Sequence, residues 1–300
     1  MKILISTCLL VLTSFQLLSC DICGGIGSSV SAGMLLNERY HFIGIRSVNR
    51  MTTSYFEGIK HSREMVFAQE LYGRIQAGKR IQLIAAIPFQ TGIQKRDLGQ
   101  DFFSGLGDPY AYLNGIVLHQ KDSAGATRTF LSIGGGIKFP LGKYSIKQDG
   151  FQNLYPGTGS WDVPTSLTFV QKVKNYWSFQ AEAGYTFKRS NPSGFRYGNN
   201  LTSSAQFTHV VRVKGNRLIY GLGGFFDHFE KSTSTTSNLG ENTNSGYTTG
   251  VRLNLNYLSR KWLITSQINV PLIQQLNNGS VKSNGAIQLG IHYLITSKVK

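Results

Sequence analysis

The chain has 300 residues, of which 41% are hydrophobic and only 15% charged, and 31 Lys and Arg against 15 Asp and Glu give a formal net charge of +16. No stretch beyond residue 20 stays apolar for the roughly 18 residues that a membrane helix needs, which excludes helical spans. The basic residues are dispersed, with no basic helix, zinc finger or RNA-binding motif, so nucleic acid is excluded as the partner and anionic lipid headgroups or anionic solutes take its place.

Residues 1–19 predict an export signal: Lys2 is the charged start, Ile3 to Leu18 is mostly apolar, and small Ser19 precedes Cys20. Leu17-Leu18-Ser19-Cys20 resembles a bacterial lipobox, which makes Cys20 a lipidation candidate; acylation there and plain secretion both stay open. Cys20 and Cys23 form the single C-x-x-C pair of the chain. A structural zinc site wants four ligands, so one pair leaves a local disulfide, a lipidated Cys20 beside a free Cys23, or a soft-metal site on Cys20 and Cys23. Residues 20–37 read as a periplasmic tail, and 38–300 as the folded body.

That body alternates. In Met65 to Gln90, Met65, Phe67, Leu71 and Ile75 share one parity, against Ala68, Glu70, Tyr72, Arg74 and Gln76. After Ala77-Gly78-Lys79, the residues Ile81, Leu83, Ala85, Ile87 and Phe89 oppose Arg80, Gln82 and Gln90. Period two is the signature of a strand with one oily and one wet face. Arms of about 10 residues exceed the usual soluble strand and match the 9 to 11 that a tilted strand needs to cross a bilayer core. The pattern predicts about twelve strands, at 38–48, 65–76, 80–90, 104–118, 128–140, 160–172, 176–188, 200–213, 217–229, 246–258, 261–271 and 285–296. Strand 176–188 sets Trp177, Phe179, Ala181, Ala183, Tyr185 and Phe187 against Ser178, Gln180, Glu182 and Lys188. Strand 246–258 opposes Leu253, Leu255 and Tyr257 to Arg252, Asn254 and Asn256, and the last sets Ile287, Leu289, Ile291, Tyr293 and Ile295 against Gln288 and His292.

The connections sort by parity. Gaps 49–64, 91–103, 141–159, 189–199, 230–245 and 272–284 predict long loops. Between them fall short or moderate turns at 77–79, 119–127, 173–175, 214–216 and 259–260. Long outer loops, short periplasmic turns and an even strand number describe a bacterial outer-membrane barrel. The fold class predicted is therefore all-β, a transmembrane antiparallel up-and-down barrel. Its oily parity would touch outer-membrane lipid, and its wet parity would line a lumen. Glu70, Arg74, Arg80, Lys138, Glu182, Lys188, Arg252 and His292 are the lumen-lining candidates; they either pair across the interior or tune ion preference along a path.

Other motifs carry little. Gly134 to Lys143 has five residues between Gly and Gly-Lys, followed by Tyr144 and no helix, so it is not a phosphate loop. Glycines relieving crowding in a curved strand account for it. The six histidines lack metal-ligand spacing, and His228 near Ser232 and Ser234 is a faint hydrolase candidate at most. No enzyme activity and no cofactor are expected.

Asp21-Ile22-Cys23-Gly24 after the leader, Gly105-Leu106-Gly107-Asp108-Pro109, Gly135 to Tyr144 (GGIKFPLGKY) and Gly157-Thr158-Gly159-Ser160-Trp161-Asp162 together resemble the phenol meta-pathway, or MetA-like, family of outer-membrane transporter-like barrels. The resemblance covers roughly residues 20–170 by motif. At the place where relatives of this subtype carry a further Cys, this chain has Gly25. The resemblance implies passive passage of a small solute or ion across the outer membrane, with insertion by the barrel assembly machinery. The other readings are a structural or surface-binding barrel that does not conduct, and a metal-handling protein.

Overall fold

The computed structural model describes residues 40–123, 125–145, 153–234 and 245–296. The leader, the tail with Cys20 and Cys23, and residues 297–300 lie outside them. Fifteen strands follow in chain order: β1 Tyr40–Phe56, β2 Ile59–Ala77, β3 Ile81–Arg96, β4 Gly99–Leu106, β5 Tyr110–Lys121, β6 Thr127–Lys138, β7 Val163–Lys174, β8 Trp177–Phe187, β9 Phe195–Arg196, β10 Asn200–Val213, β11 Asn216–Phe229, β12 Thr233–Ser234, β13 Gly246–Leu258, β14 Trp262–Leu276 and β15 Val281–Thr296. Each barrel strand pairs antiparallel with the next, and β15 returns to β1, from Tyr40 opposite Thr296 to Ser54 opposite Val281. β9 and β12 make a small ribbon outside this ring.

β3 pairs with β4 along Phe89–Arg96 and with β5 along Ile81–Ala86. β4 and β5 are thus one strand, interrupted at Gly107-Asp108-Pro109, and the ring is a closed barrel of twelve strands. Closure leaves no unpaired edge, which is the condition for a sheet to stand in lipid. The single strand expected at 104–118 is corrected to these two segments. Pro109 has no N–H to give to a ladder, and Gly107 turns its N–H to Pro88 O at 2.9 Å.

Inside and outside follow the sequence parity. Ile43, Ile45, Leu71, Leu83, Leu113, Ile133, Leu253, Leu255, Ile264, Ile287 and Ile291 stand on the outer face, with Ile45 at 62% exposure and Ile291 at 56%. Exposed branched aliphatics on nearly every strand are intolerable in water and ordinary against lipid tails. Aromatic rings bound this belt. Near the end that carries the short turns, Trp177 packs on His209 at 4.5 Å and Trp262 on Tyr293 at 5.2 Å. Near the other end, Tyr185 meets Phe187 and Phe226 meets Tyr247. Tyr247 and Tyr257 mark both rims on β13. Ten residues at about 3.3 Å each, tilted by about 40°, span about 25 Å, the height of an outer-membrane apolar band.

Three expected long loops are corrected. Residues 49–64, 91–103 and 272–284 are mostly strand. β1 and β2 meet at a two-residue turn, Glu57-Gly58, with φ of 49° and 79°, the primed geometry that suits a twisted hairpin. Asp97-Leu98 joins β3 to β4, and Asn277–Gly279 with Ser280 joins β14 to β15. These hairpins rise beyond the apolar belt. Their outer residues, such as Arg63 and Lys95, face water, so the oily alternation fades although pairing continues.

Candidate functional site

The barrel interior is filled in layers. At the end holding Tyr40 and the short turns, Phe42, Tyr72, Ile84, Ala86, Tyr110, Tyr112, Leu258, Leu263 and Leu294 form one buried apolar cluster inside the ring. Ile116, Phe130 and Val170 form a second. An amide chain lies beside them. Asn114 donates to Gln82 at 3.1 Å, Gln82 to Gln76 at 3.0 Å, and Gln76 to Gly78 O at 2.9 Å.

Buried charges stand within and above this layer. Arg46 on β1 binds Glu70 on β2 through Nε at 2.7 Å, donates to Tyr110 Oη at 2.8 Å, and stacks over the Tyr72 ring at 4.2 Å. Arg74 donates to Tyr40 O at 3.2 Å and lies over the Phe42 ring at 4.9 Å. Across the lumen Arg252 donates to Ser204 at 2.7 Å and Asn269 at 3.1 Å, with Glu182 at 4.0 Å. Gln180 donates to Glu182 at 2.6 Å. Each guanidinium has both a carboxylate or carbonyl and a ring or amide to replace its water, which is what lets it stay charged when buried.

The two sides of the lumen differ. β1, β2, β5 and β15 point Phe42, Arg46, Tyr72, Arg74, Tyr110, Tyr112 and His292 inward. β7, β8, β10 and β11 point Thr168, Gln180, Ser204, Gln206, Thr208, Ile219 and Phe225 inward, and Gly221 and Gly223 make room for the Asn254 and Gln206 side chains. Gly134 and Gly136 of β6 make room for the Tyr112 ring: a Cβ on Gly136 would sit 2.7 Å from Tyr112 Cδ2. Tyr112 passes over β6 and hydrogen-bonds Ser166 on β7. The crowding that these glycines relieve is a side chain laid flat across them.

The outer mouth is narrowed by loops. Lys138 at the end of β6 binds Asp162 at 2.6 Å, Asp108 at 3.0 Å and Thr158 Oγ1 at 2.5 Å. Asp108 accepts from Gly142 N, Thr158 N and Thr158 Oγ1 at 2.8 to 2.9 Å. Gly142 and Gly157 touch backbone to backbone, since a Cβ on either would lie within 2.8 Å of the other's Cα. The three motif strings of the sequence thus meet in one knot that fastens residues 153–162 over the broken strand. Leu154 packs on Gly92, and Gln90 donates to Tyr155 O at 3.0 Å, both on the inner face of β3. Asn191 donates to Thr158 O at 3.1 Å and so ties the next outer loop to the first. Lys188 lies 5.5 Å from the Tyr197 ring in that loop, and the β9–β12 ribbon joins it to the third.

Of the eight lumen-lining candidates, Glu70, Arg74, Glu182, Arg252 and His292 point into the barrel between the rims. Lys138 and Lys188 are buried under the outer loops. Arg80 is corrected: it stands in the β2–β3 turn, exposed, because the strand that continues its parity begins at Ile81. Cys20 and Cys23 lie outside the described residues. His228 faces outward and Ser232 accepts from Gly198 N at 3.1 Å, so they do not come together as a catalytic pair. Sequence reasoning missed Arg46, Arg50 and Asp227. Arg46 was findable, having the parity opposite Ile43 and Ile45. Asp227 sits in Phe225-Phe226-Asp227-His228-Phe229, where aromatics on both parities hide the alternation.

Residues 50–296 match the family model described as "Putative MetA-pathway of phenol degradation". The chain belongs to this family. No curated protein matches it. Among solved structures, this MetA-pathway family barrel is similar to an outer membrane channel from Pseudomonas putida F1, with a TM-score of 0.63 and 17% identity over 85% of this chain and 96% of that one. It is also similar to the β domain of the Bordetella autotransporter BrkA, with a TM-score of 0.55 and 10% identity over 85% of this chain and 100% of that one. These likenesses show the fold. Together with the apolar belt and its aromatic rims, they make this family member an outer-membrane β-barrel of the bacterial type.

Proposed function

We propose that the protein is a channel for passive passage of a small solute or ion across the outer membrane. The observation that carries this reading is a closed ring of twelve strands whose apolar outer belt encloses an interior lined by charged and polar side chains, Arg46, Arg74, Gln180, Glu182, Gln206 and Arg252 among them. A barrel serving only as a scaffold could fill its whole interior with apolar side chains, as the layer around Phe42 does. The similar Pseudomonas putida F1 protein is named an outer membrane channel, which agrees. In this reading lipid surrounds the belt, the assembly machinery inserts the barrel, and no step calls for catalysis. Planar-bilayer recording of the purified, refolded protein tests it: discrete conductance steps are expected, and their absence in every salt would end the channel reading.

The packed periplasmic layer favours a second reading, a barrel whose interior stays shut. Nine buried apolar residues close together inside the ring resemble a core more than a conduit. The same recording separates the two.

A further inference from the structure

Where the β1–β2 hairpin rises above the apolar belt, its inner face carries a buried carboxylate. Glu64 on β2 stands opposite Thr52 on β1 and opposite Gln94 on β3, and Ser54 stands opposite Ser62 as the next inward pair toward the tip. All five side chains are buried, with Glu64 3% and Gln94 6% exposed. Thr52 donates to Glu64 at 3.2 Å, Ser54 at 3.3 Å and Gln94 Nε2 at 3.1 Å, and Ser62 bonds it as well.

Two things are missing from this cluster. The first is a counterion. Among the described residues no Lys, Arg or His pairs with Glu64. Arg50 and Arg96 stand two residues along the same faces from Thr52 and Gln94, but Arg50 acts on Asp227 and Arg96 binds Asp101. Neutral donors do not repay a buried carboxylate for its lost water, and burial holds the Glu64 carboxyl above the usual carboxylate range. The second is a partner for Gln94 Oε1, which is buried and makes no hydrogen bond. Turning the amide over gives no relief. Oε1 would then face the carboxylate, and Nε2 would lose both Glu64 and Ser62. A buried anion and a bare buried acceptor stand side by side, and a positive charge satisfies both.

We propose that Glu64, Gln94 Oε1 and the hydroxyls of Thr52, Ser54 and Ser62 form a binding site for a small alkali cation, sodium, on the outer side of the barrel. An all-oxygen donor set selects a hard cation, and no group of three His, Cys, Asp or Glu stands among the described residues to hold a softer metal. The single carboxylate cancels one positive charge, whereas a divalent ion would leave an excess beside Arg50 and Arg96. The hydroxyls give their hydrogens to Glu64 and keep lone pairs for the ion. Bound there, the ion ties β1, β2 and β3 together above the belt, and the site does not depend on conductance.

Sodium NMR of the detergent-folded full chain tests the site with the ion itself. Saturable line broadening is expected, abolished in Glu64→Gln. In Gln94→Met, which keeps the carboxylate and removes the amide, the affinity should fall about tenfold. In urea, sodium chloride should raise the unfolding midpoint of the parent above that in N-methylglucamine chloride at equal ionic strength, and the two salts should act alike on Glu64→Gln. No saturable broadening, broadening untouched by Glu64→Gln, or displacement of sodium by calcium at far lower concentration would overturn the proposal. Should Glu64→Gln fail to fold, Gln94→Met carries the test, and parent-like sodium affinity in that variant overturns it.

Discussion

Lys138 Nζ lies between two buried carboxylates, 2.6 Å from Asp162 and 3.0 Å from Asp108. One cation serves two anions, and backbone and hydroxyl donors complete Asp108. Removing the cation leaves both carboxylates buried against each other. Breaking one partner out of a buried ion pair costs about 3 to 5 kcal/mol. Lys138→Met should therefore lower the urea midpoint of the refolded barrel and loosen residues 153–162, read as new protease cleavage within that segment. Asp162→Asn, which keeps one carboxylate for Lys138, should cost less. Equal stability of Lys138→Met and the parent would show that the knot does not fasten the loop.

The Tyr112 ring lies across Gly134 and Gly136 and reaches Ser166. A bulky residue at Gly136 must displace it. Gly136→Leu should destabilise the barrel by about 1 to 3 kcal/mol by overpacking, measured as a shift of the urea midpoint followed by gel mobility. Tyr112→Ala removes the same ring from the lumen without a clash and should raise single-channel conductance. If Tyr112→Ala left conductance unchanged, the ring would lie off the path.

Much of this was legible in the residues, for a physical reason. Where lipid faces one side of a strand, Leu253, Leu255 and Tyr257 must alternate with Arg252, Asn254 and Asn256, and that alternation marks the strand in the sequence. Once a hairpin leaves the belt, both faces meet water or loops, and nothing forces Asn49 to Ser54 to alternate, so the sequence there reads as a loop. Gly107-Asp108-Pro109 is visible in the sequence as a motif, but only the tertiary contacts among Asp108, Lys138 and Thr158 show that it anchors a loop 50 residues away. Pairing distinguishes a free lumen charge from a spent one, and pairing is invisible in sequence. Arg46 and Glu70 satisfy each other, while Arg80 misses the lumen by one position in a turn.

The apolar belt can be tested by depth. Leu253 stands midway between Tyr247 and Tyr257 on the outer face of β13, whereas Ile59 caps the β1–β2 hairpin well above the rim. An Arg at the bilayer midplane of a barrel costs about 2 to 4 kcal/mol, falling to about 0 to 1 near the interface. Leu253→Arg should therefore depress the folding free energy in lipid vesicles by that amount, and Ile59→Arg should leave it nearly unchanged. Equal penalties would mean that the outer face does not meet hydrocarbon.

Ion preference should follow the lumen charges that are not locked in a close pair. Glu70 is bound to Arg46, so neither is free to act on a passing ion. Glu182 and Arg252 are looser, 4.0 Å apart beside Ser204. Glu182→Gln leaves the guanidinium dominant there and should shift the reversal potential in a KCl gradient toward chloride. Arg252→Gln leaves the carboxylate dominant and should shift it toward potassium. The Debye length is about 10 Å at 0.1 M salt and about 3 Å at 1 M, so both shifts should shrink as KCl is raised across that range. The sign is the test. Shifts in the same direction, or none at low salt, would place the ion path away from this pair, and a shift that survived 1 M KCl would mean contact within a few ångströms rather than action through the field.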